Sequence, residues 1–358
     1  MKKQTNYARS IFLILVLVSL FAFATILKLT VSFCIPLTVA TMLSFVFYPI
    51  CNKLKKFHIP WAISIFLCIA VVVVLFYFIG SLLISSTKTI LSTYPKYEDR
   101  FTAIYKIFAQ KFKISFDENL SLFNNLWNSL NVRTMVQNFA ITFSSSLVIF
   151  SKTLFVIMLF LVFLLFEFES LKTKISFAFS DEHTNQKILT IARNTVTEVT
   201  HFLSIKFMIS LLTGLVVFIG TFAIKMDFPI IWGFLAFILN FIPTFGSTIS
   251  CSVTILFAIL QFYPNWGYVI YVAILVMTVN LILGNIIEPR WEGTDLGISP
   301  FIILVSLSFW GWMWGFVGMV LAVPLMVIIK IICENIEILR PVAIIMGTKK
   351  RNAENKNA

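Results

Sequence analysis

The chain has 358 residues, of which 59% are hydrophobic, 16% aromatic and only 12% charged. Soluble domains carry roughly 25% charged residues, whereas uncharged apolar runs of about 18 or more recur here, so composition excludes a soluble globular class and specifies an all-α polytopic membrane protein. The net charge of +12, from 28 basic and 16 acidic residues, sits in short loops and tails as the positive-inside rule expects, with no basic-plus-aromatic module for nucleic acid.

The N-terminus carries Lys2, Lys3 and Arg9 before an apolar stretch and Ala22-Phe23-Ala24, the layout of a signal peptide. The apolar run continues to Leu27 and a second span follows at once, so a retained first span is expected. The predicted elements are spans over about 10–27 and 29–50, then a basic turn (Lys53, Lys55, Lys56), then a third span over about 60–86. Residues 87–146 lack a spanning run. Phe101, Ile104, Tyr105, Phe108 and Phe112 recur there at helical spacing, which reads as an extracytoplasmic helical cap. A fourth span over about 147–168 leads to a basic segment, 169–200, holding Lys172, Lys174, Lys187 and Arg193. A fifth span covers about 202–224. Every basic cluster fits one orientation, with both termini cytoplasmic. The domains are therefore 1–86, the cap 87–146, a core 147–340 with the cytoplasmic loop 169–200, and a basic tail 341–358.

The last third does not fit simple counting. Residues 228–261 and 300–333 are apolar runs, each roughly 50 Å long as a straight helix against a hydrocarbon core of about 30 Å. The first is interrupted by Pro243 and Gly246, the second by Gly311, Gly315, Gly318 and Pro324. Each is either one long kinked helix or a hairpin of two half-helices. The first reading gives eight spans and the second six, and the C-terminus is cytoplasmic in both.

Unwound backbone at membrane depth is tolerated only where protein or a wet cavity surrounds it, and paired Gly/Pro breaks point to a transporter's binding site. The substrate or ion pathway is expected at Asn240, Pro243, Thr244, Gly246 and Ser247 from the first break, with Gly315, Gly318 and Pro324 from the second. Asn280 and Asn285 on the intervening span are polar liners, and Glu288 with Arg290 in the following loop supply a gate or a coupling carboxylate. A proline kink, hydroxyls bonded to their own helix and an interfacial ion pair are the plainer alternatives.

Enzyme motifs are absent. There is no Walker-type loop, Gly-x-Ser-x-Gly elbow, His-Glu-x-x-His or Cys-x-x-Cys, so no cofactor, metal or disulfide is expected. Ser247 with His201 is the nearest thing to a nucleophile and base, and they lie far apart in sequence.

"FIPTFGSTIS" and the later "NIIEPRWEGTDLGISPFIILVSLSFWGWMWGFVGMVLAVPL" resemble the autoinducer-2 exporter (AI-2E) family of bacterial membrane proteins. The shared pattern falls on Ile242, Pro243 and Gly246, then Ile287, Glu288 and Pro289, then Leu296, Gly297 and Pro300, then Gly315, Gly318, Ala322, Val323 and Pro324. Arg290, Trp291, Glu292 and Gly293 in the loop, and Thr244-Phe245 at the break, depart from it. The resemblance implies a secondary transporter of the bacterial cytoplasmic membrane that moves a small solute by alternating access. It also implies lipid as a partner and homo-oligomers, a pentamer among the candidates. Sodium or lithium/proton antiport by the same family, with Glu288 as the coupled carboxylate, is the alternative. A non-transporting scaffold assembling partners through the cap is a third reading.

Overall fold

The structure is a computed structural model and describes residues 2–82, 85, 132–178, 181–292 and 297–347. Most of the expected cap and the basic tail from 348 onward lie outside the described residues.

Among the described residues all helices and turns belong to one helical architecture, with a single isolated bridge between Ile298 and Gly347. The reason is that lipid offers no hydrogen bonds, so each apolar segment must satisfy its backbone internally. The helices are α1 (Lys2–Leu29), α2 (Val31–Lys56), α3 (Trp61–Leu82), α4 (Val132–Ala178), α5 (Glu182–Ala223), α6 (Pro229–Leu239), α7 (Phe245–Phe262) and α8 (Trp266–Val279). A π-helix (Asn280–Ile287) and short α9 (Glu288–Glu292) follow, then α10 (Pro300–Asn335) and α11 (Arg340–Met346). Among the described residues, seven helical segments are long and apolar enough to cross a membrane by length and composition.

The 47 residues of α4 and 42 of α5 make helices of about 70 and 63 Å, so each extends well past a hydrocarbon core of about 30 Å. Helix α4 runs unbroken through position 147, where the fourth span was expected to begin. Asp181 starts α5 as its N-cap, its carboxylate accepting the Thr184 N–H at 2.9 Å.

The chain packs as two units. The first comprises the described parts of Met1–Ile65, Leu154–Leu203 and Asp295–Ala358. Within it the Trp61 indole donates to the Leu165 carbonyl at 3.3 Å, and the Thr200 hydroxyl donates to the Phe45 carbonyl at 2.7 Å. The Tyr48 ring meets both Trp61 and Phe168 edge-on. Helix α10 folds back on itself within this unit. Gly315 takes φ 62° and ψ −141°, a conformation open to glycine but strained for residues with a Cβ. Beyond the reversal, the Ser306 hydroxyl donates to the Ala322 carbonyl, 16 residues on, at 3.0 Å. A Cβ on Gly318 would sit 1.9 Å from the Trp310 carbonyl oxygen, so the arms touch backbone to backbone near the tip.

The second unit comprises the described parts of Phe66–Thr153 and Ser204–Thr294. Its core is Val217, Met226, Trp232, Ala236, Ala258, Val272, Val276 and Val279. Helices α6 and α7 form a second hairpin: the Phe257 ring packs on Trp232 at 4.7 Å and on Phe228 at 5.9 Å between centroids. At its tip a Cβ on Gly246 would lie 1.7 Å from the Leu239 carbonyl oxygen. Both overlong runs are therefore hairpins, not kinked single helices.

Candidate functional site

In the second unit one face of α5 carries Lys206, Ser210, Thr213 and Thr221, all buried. The spacings of four, three and eight residues place them on a single stripe of an α-helix. Helix α6 lies against this face because neither side has a Cβ to keep it away. A Cβ on Gly214 would fall 2.8 Å from the Gly233 carbonyl oxygen, and one on Gly233 would fall 2.8 Å from that of Gly214.

This contact delivers the end of α6 to the polar stripe. Asn240, only 6% exposed, donates its side-chain amide to the Ser210 hydroxyl at 3.0 Å. Thr213, Ser247, Ser250, Cys251 and Asn280 surround a small cleft beside it, closed on the apolar side by residues such as Ala236 and Val276. Its volume of about 20 Å³ is that of one water-sized guest. The cleft is thus walled by α5, both arms of the α6–α7 hairpin, and the junction of α8 with the π-helix.

Backbone strain flanks α6 at both ends, at the hairpin's open end and at its tip. Phe228 (φ 60°) precedes it, and Thr244 (φ 60°) follows it. Positive φ at a bulky or β-branched residue is an outlier costing of order 1–3 kcal/mol, and such strain clusters at functional sites. The Thr244 carbonyl accepts the Ser247 and Thr248 hydroxyls at 3.2 and 2.8 Å, so these side chains stitch the start of α7 to the tip.

One turn from Ser210, Lys206 pairs with Glu288 Oε1; their side chains are 6% and 14% exposed. An ion pair this buried needs its partner, because removing one member leaves an uncompensated charge and costs about 3–5 kcal/mol. Glu288 is carried there by the π-helix that begins at Asn280.

Of the expected site residues, Asn240, Ser247 and Asn280 line the cleft. Gly246 and Pro243 shape the tip above it, Thr244 is strained at the tip, and Glu288 joins the buried pair. Asn285 and Arg290 are exposed on their helices. Gly315, Gly318 and Pro324 belong to the other unit, where they form the α10 reversal and its buried return arm. That arm holds a second buried lysine: Lys330 donates to the Gly297 carbonyl at 2.7 Å and pairs with Glu334 at 3.5 Å. At the tip of α10, the Trp314 indole donates to the Leu27 carbonyl at 3.4 Å, and the Lys28 ammonium sits 3.7 Å over the Trp312 ring. Among the described residues no group of three or more metal-ligating side chains occurs.

Sequence reasoning passed over Lys206, Ser210, Thr213, Ser250 and Lys330. The signal was present, since a lysine inside an apolar run is rare, and here hydroxyls follow it at helical spacing. The π-helix left no comparable trace.

The family described as AI-2E family transporter matches residues 11–338. A putative transport protein of Borreliella burgdorferi is 31% identical over 313 residues, covering 87% of this chain and 84% of that one. A putative transport protein of Haemophilus influenzae is 29% identical, covering 86% and 88%. The AI-2 transport protein TqsA of Escherichia coli is 29% identical over 310 residues, covering 84% and 85%.

Proposed function

Because this chain belongs to the AI-2E transporter family and is a membrane transporter, we propose that it is a secondary transporter that moves a small polar solute by alternating access through the cleft of the second unit. The observation that carries this reading is Asn240, buried at a helix break and bonded to Ser210 beside a hydroxyl- and amide-lined cleft. Polar side chains inside a membrane-spanning bundle are expensive even when paired and concentrate on substrate and ion pathways, which supports this reading over a chain that serves only to span lipid. Half-helix ends at the tip supply free backbone groups and dipoles to an occupant. A signal of the AI-2 type, as named for the Escherichia coli relative, is one candidate solute. We place both termini in the cytoplasm, so the Lys206–Glu288 end of the cleft faces inward, and we place the protein in the bacterial cytoplasmic membrane as a homo-oligomer.

The test is solute flux in proteoliposomes across a panel of small neutral and charged solutes, with sodium or lithium gradients as separate arms. Asn240→Leu is expected to lower flux at least tenfold while insertion and yield stay unchanged. Full flux in that variant would overturn the site. Proton movement driven by sodium or lithium, abolished by Glu288→Gln, would favour cation/proton antiport instead.

A further inference from the structure

The cleft and the Lys206–Glu288 pair are built from the same two walls. Helix α5 supplies Thr213 and Val217 to the cleft, then Ser210, then Lys206 about 10 Å along the same face. The opposite wall supplies Val276, Val279 and Asn280 to the cleft; Asn280 is the first of eight π-helical residues, and Glu288 follows the last. The ion pair therefore bridges the cleft's walls just beyond one of its ends. Both charges are withdrawn from solvent, so each is held by the other.

The π-helix decides whether they meet. A π-helix winds more residues into each turn than an α-helix, and π segments concentrate at functional positions. Over the eight residues of Asn280–Ile287 the difference amounts to about one residue, and one residue of an α-helix is about 100° of rotation. Asn280 and Glu288 bracket this segment, so rewinding it as α-helix would keep Asn280 at the cleft and turn Glu288 away from Lys206.

We propose that Lys206 and Glu288 are positioning residues that gate one end of the cleft, and that the Asn280–Ile287 π-helix sets the register in which the gate closes. The inference rests on the transport reading above for its purpose, but the gate has its own readout. Cys251 lines the cleft and serves as a native reporter.

The experiment measures N-ethylmaleimide labelling of the Cys251 peptide by mass spectrometry, in the full chain reconstituted in lipid. Glu288→Gln is expected to raise the labelling rate at least fivefold, and the charge swap Lys206→Glu/Glu288→Lys to return it to the wild-type rate. The neutral pair Lys206→Gln/Glu288→Gln, which leaves no lone buried charge, is expected to label as fast as Glu288→Gln. Unchanged labelling in both neutralised variants would overturn the gate. Register is tested by length: deleting Ile282 should be absorbed by the π-helix and leave labelling slow, whereas inserting alanine after Leu283 should make it fast. Fast labelling in both length variants would overturn the π-helix as the register element. Flux is measured alongside, and wild-type flux in variants with accelerated labelling would leave the gate standing while removing this cleft as the solute's route.

Discussion

Gln261 ties the open end of the α6–α7 hairpin to Asp227. The Asp227 N–H donates to the Gln261 side-chain oxygen at 2.7 Å, and the Gln261 amide donates to the Lys225 carbonyl at 3.2 Å. One buried side chain thus satisfies a donor and an acceptor that the turn before Phe228 leaves over. Removing it should cost about 1–3 kcal/mol, because partners of a buried group are left unsatisfied. We expect Gln261→Leu to lower the thermal midpoint in detergent by several degrees, and Gln261→Glu, which keeps the acceptor, to fall between. Equal midpoints for all three proteins would show that the hairpin is held elsewhere.

The two hairpin tips should be intolerant of even one methyl group. Alanine at Gly246 or Gly318 would bring Cβ to 1.7 or 1.9 Å from a backbone oxygen, which no side-chain rotation relieves. Both variants should lose most folded yield by fluorescence-detected size exclusion. Gly267→Ala is the control, since nothing lies within 4 Å of its Cβ; it should stay within about 0.5 kcal/mol of the wild type.

Thr244 offers a test in the opposite direction. Glycine there removes the steric cost of φ 60° while sacrificing a hydroxyl bonded only to the adjacent Pro243 carbonyl. Thr244→Gly is expected to raise the thermal midpoint by a few degrees and to slow solute flux, because relieving strain at a working tip trades activity for stability. A lower midpoint would show that the threonine side chain stabilises the tip by more than its backbone angle costs.

Topology separates the hairpin fold from a straight-helix alternative in cells. With both termini inside, as we propose, and both runs returning to their starting side, Trp291 is expected to face the cytoplasm. A cysteine at this exposed position should react with an impermeant maleimide only after the membrane is opened. Labelling in intact cells would require that one run cross outright.

Much of this was legible in the residues. The excess length of the runs around 228–261 and 300–333, with Pro243, Gly246, Gly315 and Gly318 inside them, marked two breaks. Kink and hairpin differ only in distant contacts, such as Trp232 on Phe257 or Ser306 to Ala322, which no local pattern encodes. Asn240, Ser247 and Asn280 stood out because polar side chains contrast with an apolar background, and the fold brings them to one cleft. Lys206 and Lys330 were hidden by averaging, since one lysine barely lowers the hydropathy of a long apolar segment. The π-helix depends on how α8 packs and has no composition of its own. Asn285 and Arg290 were polar in the same way as the cleft residues, but the winding of their helix left them outside.

The shortness of α6 bears on how the protein is made. Its 11 residues reach about 16 Å, half the hydrocarbon thickness, so this arm cannot be threaded across the bilayer as an independent stop. Its strained start at Phe228 and strained end at Thr244 are held by α7, which is synthesised later, and by Gln261 near the end of that helix. The insertion machinery must therefore hold α6 at the interface until α7 has emerged, and the two arms then enter the bilayer together. The hairpin is a unit of biogenesis before it is a wall of the cleft.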